Sequence, residues 1–566
     1  MKIIYNRAIK ILLLSLLVFS LSSTPTYALV EGSITNFNVE SSHDLNSRSQ
    51  LSAILQRITN RINFYVESNW WHGLTNSRRS DLLNSMSILS NEFENRIYPL
   101  LTSEFGLDPI HPVDRSGRTS VLFHRMKANI GGYVNTGDFF TVFQAPRSNQ
   151  KNLIYINSNF IDSAFIKGFL AHEFMHVITM AQKEKNHNIQ EEIWLNEARA
   201  EYASTFLNYD SKAANNILRR KNAFINNSHF SLTEWLNRSG DYGIVNVFTQ
   251  YLVDHYGVDI LSDSLKSNKT GIESINFALK KNGFVENFSD IFTDWTIAVL
   301  VNDCSLGSKY CFKNNNLIDL RIVPSTTFLP TEHGSSLSSR SATKNWAGNW
   351  HRFVGGKGNL RLDFSLEDNQ NYRMPYLLCV TESNCSVYFA EIKNDGRSVI
   401  EIEDFGDKYF SLTIMPSVQH KMSGFNGSEA NIFYNWTIVT EFVENIPDPT
   451  LQELLNTIQT LTQEVERLRG LLLARRNNQS CSLTVNLFVG VSNPDQVRCL
   501  QQILRDQGPG VYPEGLVTGR FLSLTRMAVI RFQEKYASEV LTPLGLTSGT
   551  GFVGQKTREK MNQLSR

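Results

Sequence analysis

The fold of this chain is decided by a ten-residue stretch, Phe169-Leu170-Ala171-His172-Glu173-Phe174-Met175-His176-Val177-Ile178. Its apolar residues, together with Phe165, have the spacing of a helix that packs into a protein core. His172 and His176 are four residues apart, so they project from the same face of that helix. Two imidazoles on one face can share a metal ion, and Zn²⁺ suits imidazole nitrogen. The stretch therefore predicts a buried helix that supplies two metal ligands.

The remaining parts of a catalytic metal site follow from the same motif. Such a site takes three protein ligands and leaves the fourth position to water, and Glu173 is predicted to act on that water as general base. A second helical run, residues 194–202, contains Glu197, the predicted third ligand. Glu201, one turn later, is predicted to accept a hydrogen bond from the non-ligating nitrogen of a metal-bound histidine. The sequence leaves open the alternative in which Glu201 is the ligand and Glu197 supports it.

At these residues the sequence resembles a known family of metallopeptidases. An HExxH motif followed by Asn196-Glu197 is the gluzincin signature, and the details are similar to the hyicolysin type. The resemblance covers residues 50–305 and departs from the usual pattern at Ala198, where many relatives have glycine. The other matching segments are Phe93-Glu94-Asn95-Arg96-Ile97-Tyr98-Pro99, Phe105-Gly106, Gly131-Gly132-Tyr133, Asp138, Ser148-Asn149, Leu153-Ile154-Tyr155-Ile156-Asn157, Tyr242, Phe248, Tyr251-Leu252, Tyr256-Gly257 and Asp294-Trp295-Thr296.

The resemblance implies an α+β gluzincin (thermolysin-like) catalytic domain over residues 51–325, with one catalytic Zn²⁺. It implies a small sheet whose edge strand can pair with an extended peptide above the two zinc-bearing helices. Asn196 is expected beside the ligands as a supporting residue. Gluzincins also place a Tyr or His to donate a hydrogen bond to the oxyanion, and Tyr242 is the candidate, with His255 and Tyr256 behind it. The alternative for Tyr242 is an aromatic side chain packed on the core.

The N terminus has the features of an export signal. Lys2, Arg7 and Lys10 precede an apolar run and a small-residue exit at Ala28, which predicts a signal peptide over residues 1–28. An uncleaved anchor is the alternative. Residues 29–50 are predicted to be a polar linker or pro-segment.

Secondary structure in the following part is predicted from apolar spacing. Leu51, Ile54, Leu55, Ile58 and Ile62 have helical spacing, which predicts a helix over residues 51–62. A second helix is predicted over residues 80–97, then strands near 121–123, 133–134 and 153–156, and mostly helices over residues 165–303.

Two further segments precede the C terminus. Residues 345–442 have short β-branched and aromatic runs separated by turn residues, which predicts a small β-sandwich domain. Residues 450–475 carry apolar residues at alternating spacings of three and four, which predicts a short coiled-coil stalk. The stalk either packs on its own chain or allows self-association.

The last segment, residues 480–566, resembles the peptidoglycan-binding domain of bacterial wall enzymes. The matching residues are Val497-Arg498-Cys499-Leu500-Gln501, Tyr512-Pro513-Glu514-Gly515, Val517-Thr518-Gly519, Thr525, Ala528-Val529, Phe532-Gln533, Gly554 and Thr557. The resemblance implies a three-helix module that holds the protein on the cell wall, with peptidoglycan as a partner.

Composition limits the class of protein. A chain of 566 residues is too long for one core, and 41% hydrophobic with 19% charged residues is typical of globular proteins. A net charge of +1 gives no basic surplus for general nucleic-acid binding. The even number of cysteines in an exported chain predicts disulfides, with local pairing the simplest arrangement. The candidate cysteines are Cys304, Cys311, Cys379, Cys385, Cys481 and Cys499.

Together these features predict a secreted, cell-wall-associated bacterial zinc endopeptidase acting on proteins or peptides. No membrane span is expected after signal removal. The sequence contains no Gly-x-Ser-x-Gly motif, which disfavours a serine nucleophile. The alternatives are an aminopeptidase of the same fold and a non-catalytic wall-binding adhesin or scaffold with an inert zincin domain. The stem peptide of peptidoglycan is a further candidate substrate.

Overall fold

The computed structural model describes residues 29–106, 114, 116–128, 130–210, 214–330, 335–367, 371–440, 458–465, 467–468 and 481–565. They fall into two compact units, one within residues 1–443 and one within residues 444–566. The predicted signal peptide lies outside the described residues, as does most of the predicted stalk. Helices and several sheets occur together, which confirms the coarse expectation of a multidomain α+β protein.

The first domain is built on a six-stranded sheet in the order β1-β2-β3-β4-β6-β5. Strands β3, β4 and β6 are parallel, while β1, β2 and the edge strand β5 pair antiparallel to their neighbours. The predicted strands correspond to β4, β5 and β6. The strands are β1 Ile34–Asn38, β2 Gln50–Ile58, β3 Ile62–Glu67, β4 Thr119–His124, β5 Gly132–Val134 and β6 Asn152–Asn157.

Both faces of this sheet are covered, so its central strands are buried along their whole length. Along β3, Phe64 and Val66 face the main helical core, and Tyr65 between them faces a smaller core on the other side. This explains why the middle of each central strand, such as Phe64-Tyr65-Val66 in β3, is apolar on both faces rather than alternating. The helices are α1 Ser68–His72, α2 Asn76–Glu92, α3 Tyr98–Phe105, α4 Ile166–Thr179, α5 Ile193–Phe206, α6 Asn216–Ile225, α7 Ser239–Tyr256, α8 Asp259–Lys266, α9 Gly271–Lys281 and α10 Phe288–Val301.

The predicted helix over residues 51–62 is wrong, because these residues form β2 and begin β3. A register shift between Leu55 and Arg57 interrupts the alternation along β2. The interrupted period of two produced apolar spacings that also fit a helix.

Residues 29–50 also differ from a free polar linker. They include β1, and Phe37 and Val39 are buried in the smaller core beneath the sheet. This segment therefore belongs to the first domain, and its removal in maturation stays a prediction.

Two further sheets share a core, which is the arrangement of a β-sandwich. One sheet has the order β14-β10-β17-β8 and the other β13-β12-β15-β9-β7. The first strands begin at Ser325 and Ser336, ahead of the predicted boundary at residue 345. The strands are β7 Ser325–Leu329, β8 Ser336–Thr343, β9 His351–Gly355, β10 Gly358–Leu366, β11 Tyr372–Arg373, β12 Pro375–Thr381, β13 Asn384–Phe389, β14 Arg397–Phe405, β15 Ser411–Ile414, β16 Ser417–Val418 and β17 Ile432–Thr440.

Two tryptophans attach the sandwich to helix α10 of the first domain. The Trp346 ring lies 4.9 Å from the Phe288 ring, and Trp350 Nε1 donates a hydrogen bond to the Thr296 carbonyl at 2.9 Å. Both indoles are buried in the main core of the first domain, which therefore extends to this side of the sandwich.

The second unit has a core of its own and, after residue 481, three helices of 10 to 13 residues and a shorter one. Its helices are α11 Pro494–Asp506, α12 Ser523–Lys535, α13 Ala537–Val540 and α14 Gln555–Leu564. Within the predicted stalk, residues 458–465 and 467–468 are helical. Their seam residues Ile458, Leu461, Val465 and Leu468 are exposed, and self-association through them stays a prediction.

The predicted local pairing of the cysteines is confirmed by three disulfides, Cys304–Cys311, Cys379–Cys385 and Cys481–Cys499. Among the described helices, none combines the length and apolar character needed to cross a bilayer. Both findings are compatible with a secreted protein.

Candidate metal centre

Two neighbouring helices place the predicted metal ligands side by side. Helix α4 carries His172 and His176, and helix α5 carries Glu197. Each helix buries the opposite face in the main core, which fixes the direction of the ligand face. The buried anchors are Leu170, Phe174, Val177 and Ile178 on α4, and Trp194, Leu195 and Ala198 on α5.

The three side chains converge on one point. His172 Nε2 and His176 Nε2 are 3.3 Å apart, and Glu197 Oε2 lies 3.4 Å from His172 Nε2. One ligand atom from each of the three residues lies within 4.8 Å of the other two. Ligands held about 2.0–2.1 Å from a tetrahedral zinc ion are about 3.3 Å apart. The donor set and its spacing therefore fit Zn²⁺.

Two carboxylate oxygens at this point are buried and have no hydrogen-bond partner among the described residues, Glu173 Oε2 and Glu197 Oε2. Leaving a buried carboxylate oxygen unpaired is costly, so such atoms usually meet a ligand or water. For Glu197 a cation between the two imidazoles would supply the missing partner. For Glu173 a water molecule would do so.

Glu173 is held close to the edge strand β5. A Cβ placed on Gly132 would lie 3.0 Å from Glu173 Oε1 and 2.8 Å from the Tyr155 carbonyl, so only glycine leaves room here. Burial raises the pKa of Glu173 to about 7, and the charges of Glu197 and Glu201 act in the same direction against His172. The carboxyl thus sits between the predicted metal position and the edge strand.

The outer nitrogens of both histidines have carboxylate or amide partners. His176 Nδ1 lies 3.0 Å from Asn196 Oδ1, and His172 Nδ1 lies 3.5 Å from Glu201 Oε1. Such contacts fix the ring orientation and the tautomer of a metal ligand. Asn196 and Glu201 therefore stand where supporting residues are predicted.

Glu201 itself is fully engaged by cationic and amide donors. Arg220 donates from Nε to Glu201 Oε2 at 2.8 Å and from a terminal nitrogen to Oε1 at 2.5 Å, and Asn216 donates to Oε2 at 3.0 Å. The unpaired oxygen belongs to Glu197 instead. The geometry thus favours Glu197 as the ligand over the alternative assignment.

The pKa values of the cluster follow from burial and from these pairs. Burial opposes charge on His172, but Glu197, Glu173 and Glu201 outweigh it and raise the pKa of His172 to about 9. Burial lowers the pKa of His176, and Glu197 opposes this only in part. Burial also opposes ionisation of Glu201, but Arg220 and His172 overcome it and lower its pKa to about 2.

Tyr242 lines the same cleft from the start of helix α7. Its hydroxyl donates a hydrogen bond to Asn237 Oδ1 at 2.9 Å, and burial raises the pKa of the phenol. The two residues predicted behind it do not reach the cleft. His255 Nε2 bonds the Cys311 carbonyl at 2.8 Å, and Tyr256 packs 5.0 Å from Phe284, so both are wrong as oxyanion donors.

The cleft that contains these residues has a volume of about 810 Å³. One wall is the edge strand β5 with Gly131 before it, and another is the phenylalanine group Phe160, Phe165 and Phe169. Among the described residues, strand β5 pairs only with β6, so it forms an edge of the sheet to which a further strand can be added.

Sequence reasoning missed the residues that α6 and the segment before α7 contribute, namely Arg220, Trp235 and Asn237. Their spacing from the HExxH motif carries no local signal, because tertiary packing alone brings them to the cleft. The buried position of Arg220 on an apolar helical face is the one pattern that could have marked it.

Comparisons with known proteins do not identify the chain. No protein-family model matches it, and no curated protein does. Among solved structures it is similar to a periplasmic inhibitor of g-type lysozyme from Aeromonas hydrophila, at 8% identity over 21% of this chain and 100% of that one, with a TM-score of 0.14. It is also similar to the pre-peptidase C-terminal domain of a collagenase from Bacillus anthracis, at 7% identity over 20% and 96%, with a TM-score of 0.14. These scores support no conclusion about fold or function.

Proposed function

We propose that this chain is a zinc-dependent endopeptidase with a gluzincin-type catalytic domain. The observation that carries the proposal is the convergence of His172, His176 and Glu197 around one point beside the buried, unpaired carboxyl of Glu173. Two imidazoles and one carboxylate form the ligand set of several metalloproteases. A mixed sheet next to the two ligand helices agrees with the family that the sequence resembles.

Each residue of the site has a role in peptide-bond hydrolysis. His172, His176 and Glu197 would hold Zn²⁺, which when bound would lower the pKa of water and polarise a carbonyl group. Glu173 takes a proton from water at its unpaired Oε2 and later delivers it to the leaving amine nitrogen. Asn196 and Glu201 keep the two imidazoles in the ligating orientation.

Tyr242 and the edge strand act on the substrate. The Tyr242 hydroxyl can exchange its exposed bond to Asn237 for one to the oxyanion that develops on the substrate carbonyl. Strand β5 offers backbone N–H and C=O groups to an extended peptide along its free side. A peptide bound in this way passes directly in front of Glu173.

An aminopeptidase needs a free carboxylate for the substrate's α-ammonium group, and four of the five carboxylates in the cleft already have other roles. Of the five carboxylates that line the cleft, Glu173 and Glu197 belong to the proposed metal site. Glu201 is bound by Arg220 and Glu191 by Arg199, each in a buried pair. Glu184, in the π-helical segment Met180–Lys185, is the fifth. An N-acetylated peptide separates the two activities, because only an endopeptidase cleaves it internally.

Export and wall attachment complete the proposal. Three disulfides suit an oxidising compartment outside the cytoplasm. The second unit has its own core and resembles a peptidoglycan-binding module, so we propose that it holds the enzyme on the wall. Binding of residues 481–566 to purified wall sacculi, compared with a mock column, measures this directly.

The decisive experiment compares wild-type protein with the Glu173→Gln variant on casein and on peptidoglycan, with zinc content measured for both. We expect equal zinc content and a fall in turnover of about 10²–10⁴-fold, because the variant lacks the general base. Glu273→Gln is the matched control, since Glu273 is an exposed partner of Lys269 on α9.

Two outcomes would contradict the proposal. Undiminished turnover in Glu173→Gln would remove this residue from the mechanism. Wild-type protein that binds no zinc, or that binds zinc and cleaves neither substrate, would instead support the wall-binding scaffold.

A further inference from the structure

Helices α6 and α7 lie in direct backbone contact beside the metal centre. A Cβ on Gly243 would lie 2.6 Å from the Phe224 nitrogen and 3.0 Å from the Arg220 carbonyl oxygen, distances that no side chain tolerates. Glycine at this position therefore lets the two helices approach. The approach places Arg220 of α6 directly against the residue before Gly243, which is Tyr242.

One edge of the Arg220 guanidinium is bound to Glu201. Its two hydrogen bonds, of 2.8 Å and 2.5 Å, use both carboxylate oxygens, and the arginine is 8% exposed. The same Glu201 Oε1 lies 3.5 Å from His172 Nδ1. Arg220 therefore fixes the carboxylate that orients a metal ligand.

The same guanidinium also lies over the ring of Tyr242. Arg220 Cζ is 4.4 Å from the centre of the Tyr242 ring. The Trp235 ring contacts Tyr242 edge-on at 4.7 Å, so the phenol is confined between two neighbours. Its hydroxyl donates an exposed hydrogen bond to Asn237 and can donate to a group in the cleft instead.

We propose that Arg220 is a positioning residue that holds Glu201 with its edge and Tyr242 with its face, and so fixes the oxyanion donor relative to the metal ligand His172. The inference rests on the proposed function, because it assigns Tyr242 and His172 the roles given there. The contacts that carry this role are those to Glu201 and Tyr242.

Only arginine can make both contacts at once. Its planar guanidinium forms paired hydrogen bonds in its plane and stacks on an aromatic ring through its face. A lysine ammonium is a point charge that keeps the attraction to Glu201 but has neither the paired geometry nor the flat face. The Arg220→Lys variant thus preserves charge and removes the coupling.

The first test measures zinc affinity and steady-state kinetics of Arg220→Lys. We expect zinc affinity, measured by competition with a chromophoric chelator, and kcat each to fall about 10–100-fold, as is typical for outer partners of metal ligands. KM should change less than twofold, because the proposal assigns Arg220 a role in positioning Glu201 and Tyr242 and none in binding substrate. Arg61→Lys is the matched control, since Arg61 stacks on Tyr98 at 4.5 Å outside the cleft.

The second test is a double-mutant cycle with Tyr242→Phe. If Arg220 acts on the oxyanion through the phenol, the loss of kcat from Arg220→Lys should be at least threefold smaller in the Tyr242→Phe background. Equal losses in both backgrounds, or an unchanged zinc affinity, would overturn the proposal. Should Arg220→Lys fail to fold, the Arg220→Gln, Glu201→Gln double variant removes both buried charges together and is expected to show the same two losses.

The zinc measurement needs no turnover, so it separates this inference from the proposed function. A wild-type protein that binds zinc but cleaves nothing would defeat the function, while the loss of zinc affinity in Arg220→Lys would still support the link from Arg220 to His172. Wild-type turnover combined with wild-type zinc affinity in the variant would defeat the inference alone.

Discussion

Glu191 and Glu197 are six positions apart, the first just before helix α5 and the second within it, and their carboxylates differ in how fully they are paired. Glu191 Oε1 accepts hydrogen bonds from the Gly271 and Glu192 amides, and its Oε2 lies 2.7 Å from Arg199 and 3.7 Å from Lys183. Glu197 Oε2 makes no hydrogen bond within the described parts of the chain, and its near neighbour is His172 Nε2 at 3.4 Å. Both carboxylates are largely shielded from water.

The difference separates a structural charge cluster from a functional one. At Glu191 every carboxylate oxygen is paired, and Lys183 also donates to the carbonyls of Ser264 and Ser267, so the cluster ties α8 and α9 to α5. At Glu197 the partners are two imidazoles, which can bind a metal ion in their neutral form. An incompletely paired carboxylate beside two imidazoles is thus the better marker of a site.

The largest effect is expected from Glu191→Ala. Removing this carboxylate leaves Arg199 buried without a counter-charge, and a guanidinium cannot release its proton. We expect a loss of about 3–5 kcal/mol in the free energy of unfolding, measured by urea titration. Glu273→Ala, in an exposed pair, should cost less than about 1 kcal/mol. Equal losses in the two variants would show that the cluster is not structural.

A smaller effect on the free energy of unfolding, dependent on pH, is expected at His124 in strand β4, on the face of the six-stranded sheet away from the main helical core. His124 is buried, with Asp44 3.4 Å away and Glu67 and Arg48 nearby. Burial lowers the pKa of His124 to about 4 and outweighs the two carboxylates. The folded state therefore favours the neutral ring, and its contribution is complete above pH 6.5 and is lost as the pH falls towards 4.

The shift corresponds to about 3 kcal/mol of stability lost over that interval. The measurement is the urea midpoint from pH 7.5 to 4 for wild type and His124→Gln. We expect the wild-type curve to fall more steeply with acid, since the variant has no imidazole to protonate. Parallel curves would assign the acid sensitivity to other groups.

Glu197→Gln tests the other half of the comparison. We expect zinc affinity to fall by more than about 100-fold, beyond the range for supporting residues, because a ligand is lost. The metal-free protein should change by less than about 1 kcal/mol, since His172 can release its proton when its partner disappears. Titration with a chelator and thermal unfolding of the metal-free form give the two numbers. A large loss of stability without metal would make Glu197 a structural residue like Glu191.

The sequence predicted the parts of this molecule that depend on local spacing. Helical spacing predicts that His172 and His176 share one helix face, and the structure brings Glu197 of the next helix close to both. The disulfides were predicted because their cysteines are close in the chain. The strand β2 was missed because a register shift at Leu55 gave it helical spacing. Short-range patterns do not report such interruptions.

Long-range packing determined what the sequence could not predict. Arg220 reaches Glu201 and Tyr242 only because Gly243 allows two helices to touch, and no pattern near the HExxH motif encodes that approach. Residues 29–50 were also predicted incorrectly as a linker, because their composition is mostly polar although Phe37 and Val39 are buried in the smaller core beneath the sheet. A few buried side chains suffice to dock a polar segment.

The smallest effect is expected from Asn196, which contacts His176 but carries no charge. Asn196→Ala removes the acceptor 3.0 Å from His176 Nδ1 and should lower zinc affinity about tenfold, at the lower end for such partners. Asn196→Asp keeps an acceptor and should restore the affinity, because a carboxylate oxygen can receive the same N–H. If the aspartate binds zinc no better than the alanine, Asn196 orients nothing, and the contrast with Glu191 would then rest on Glu197 alone.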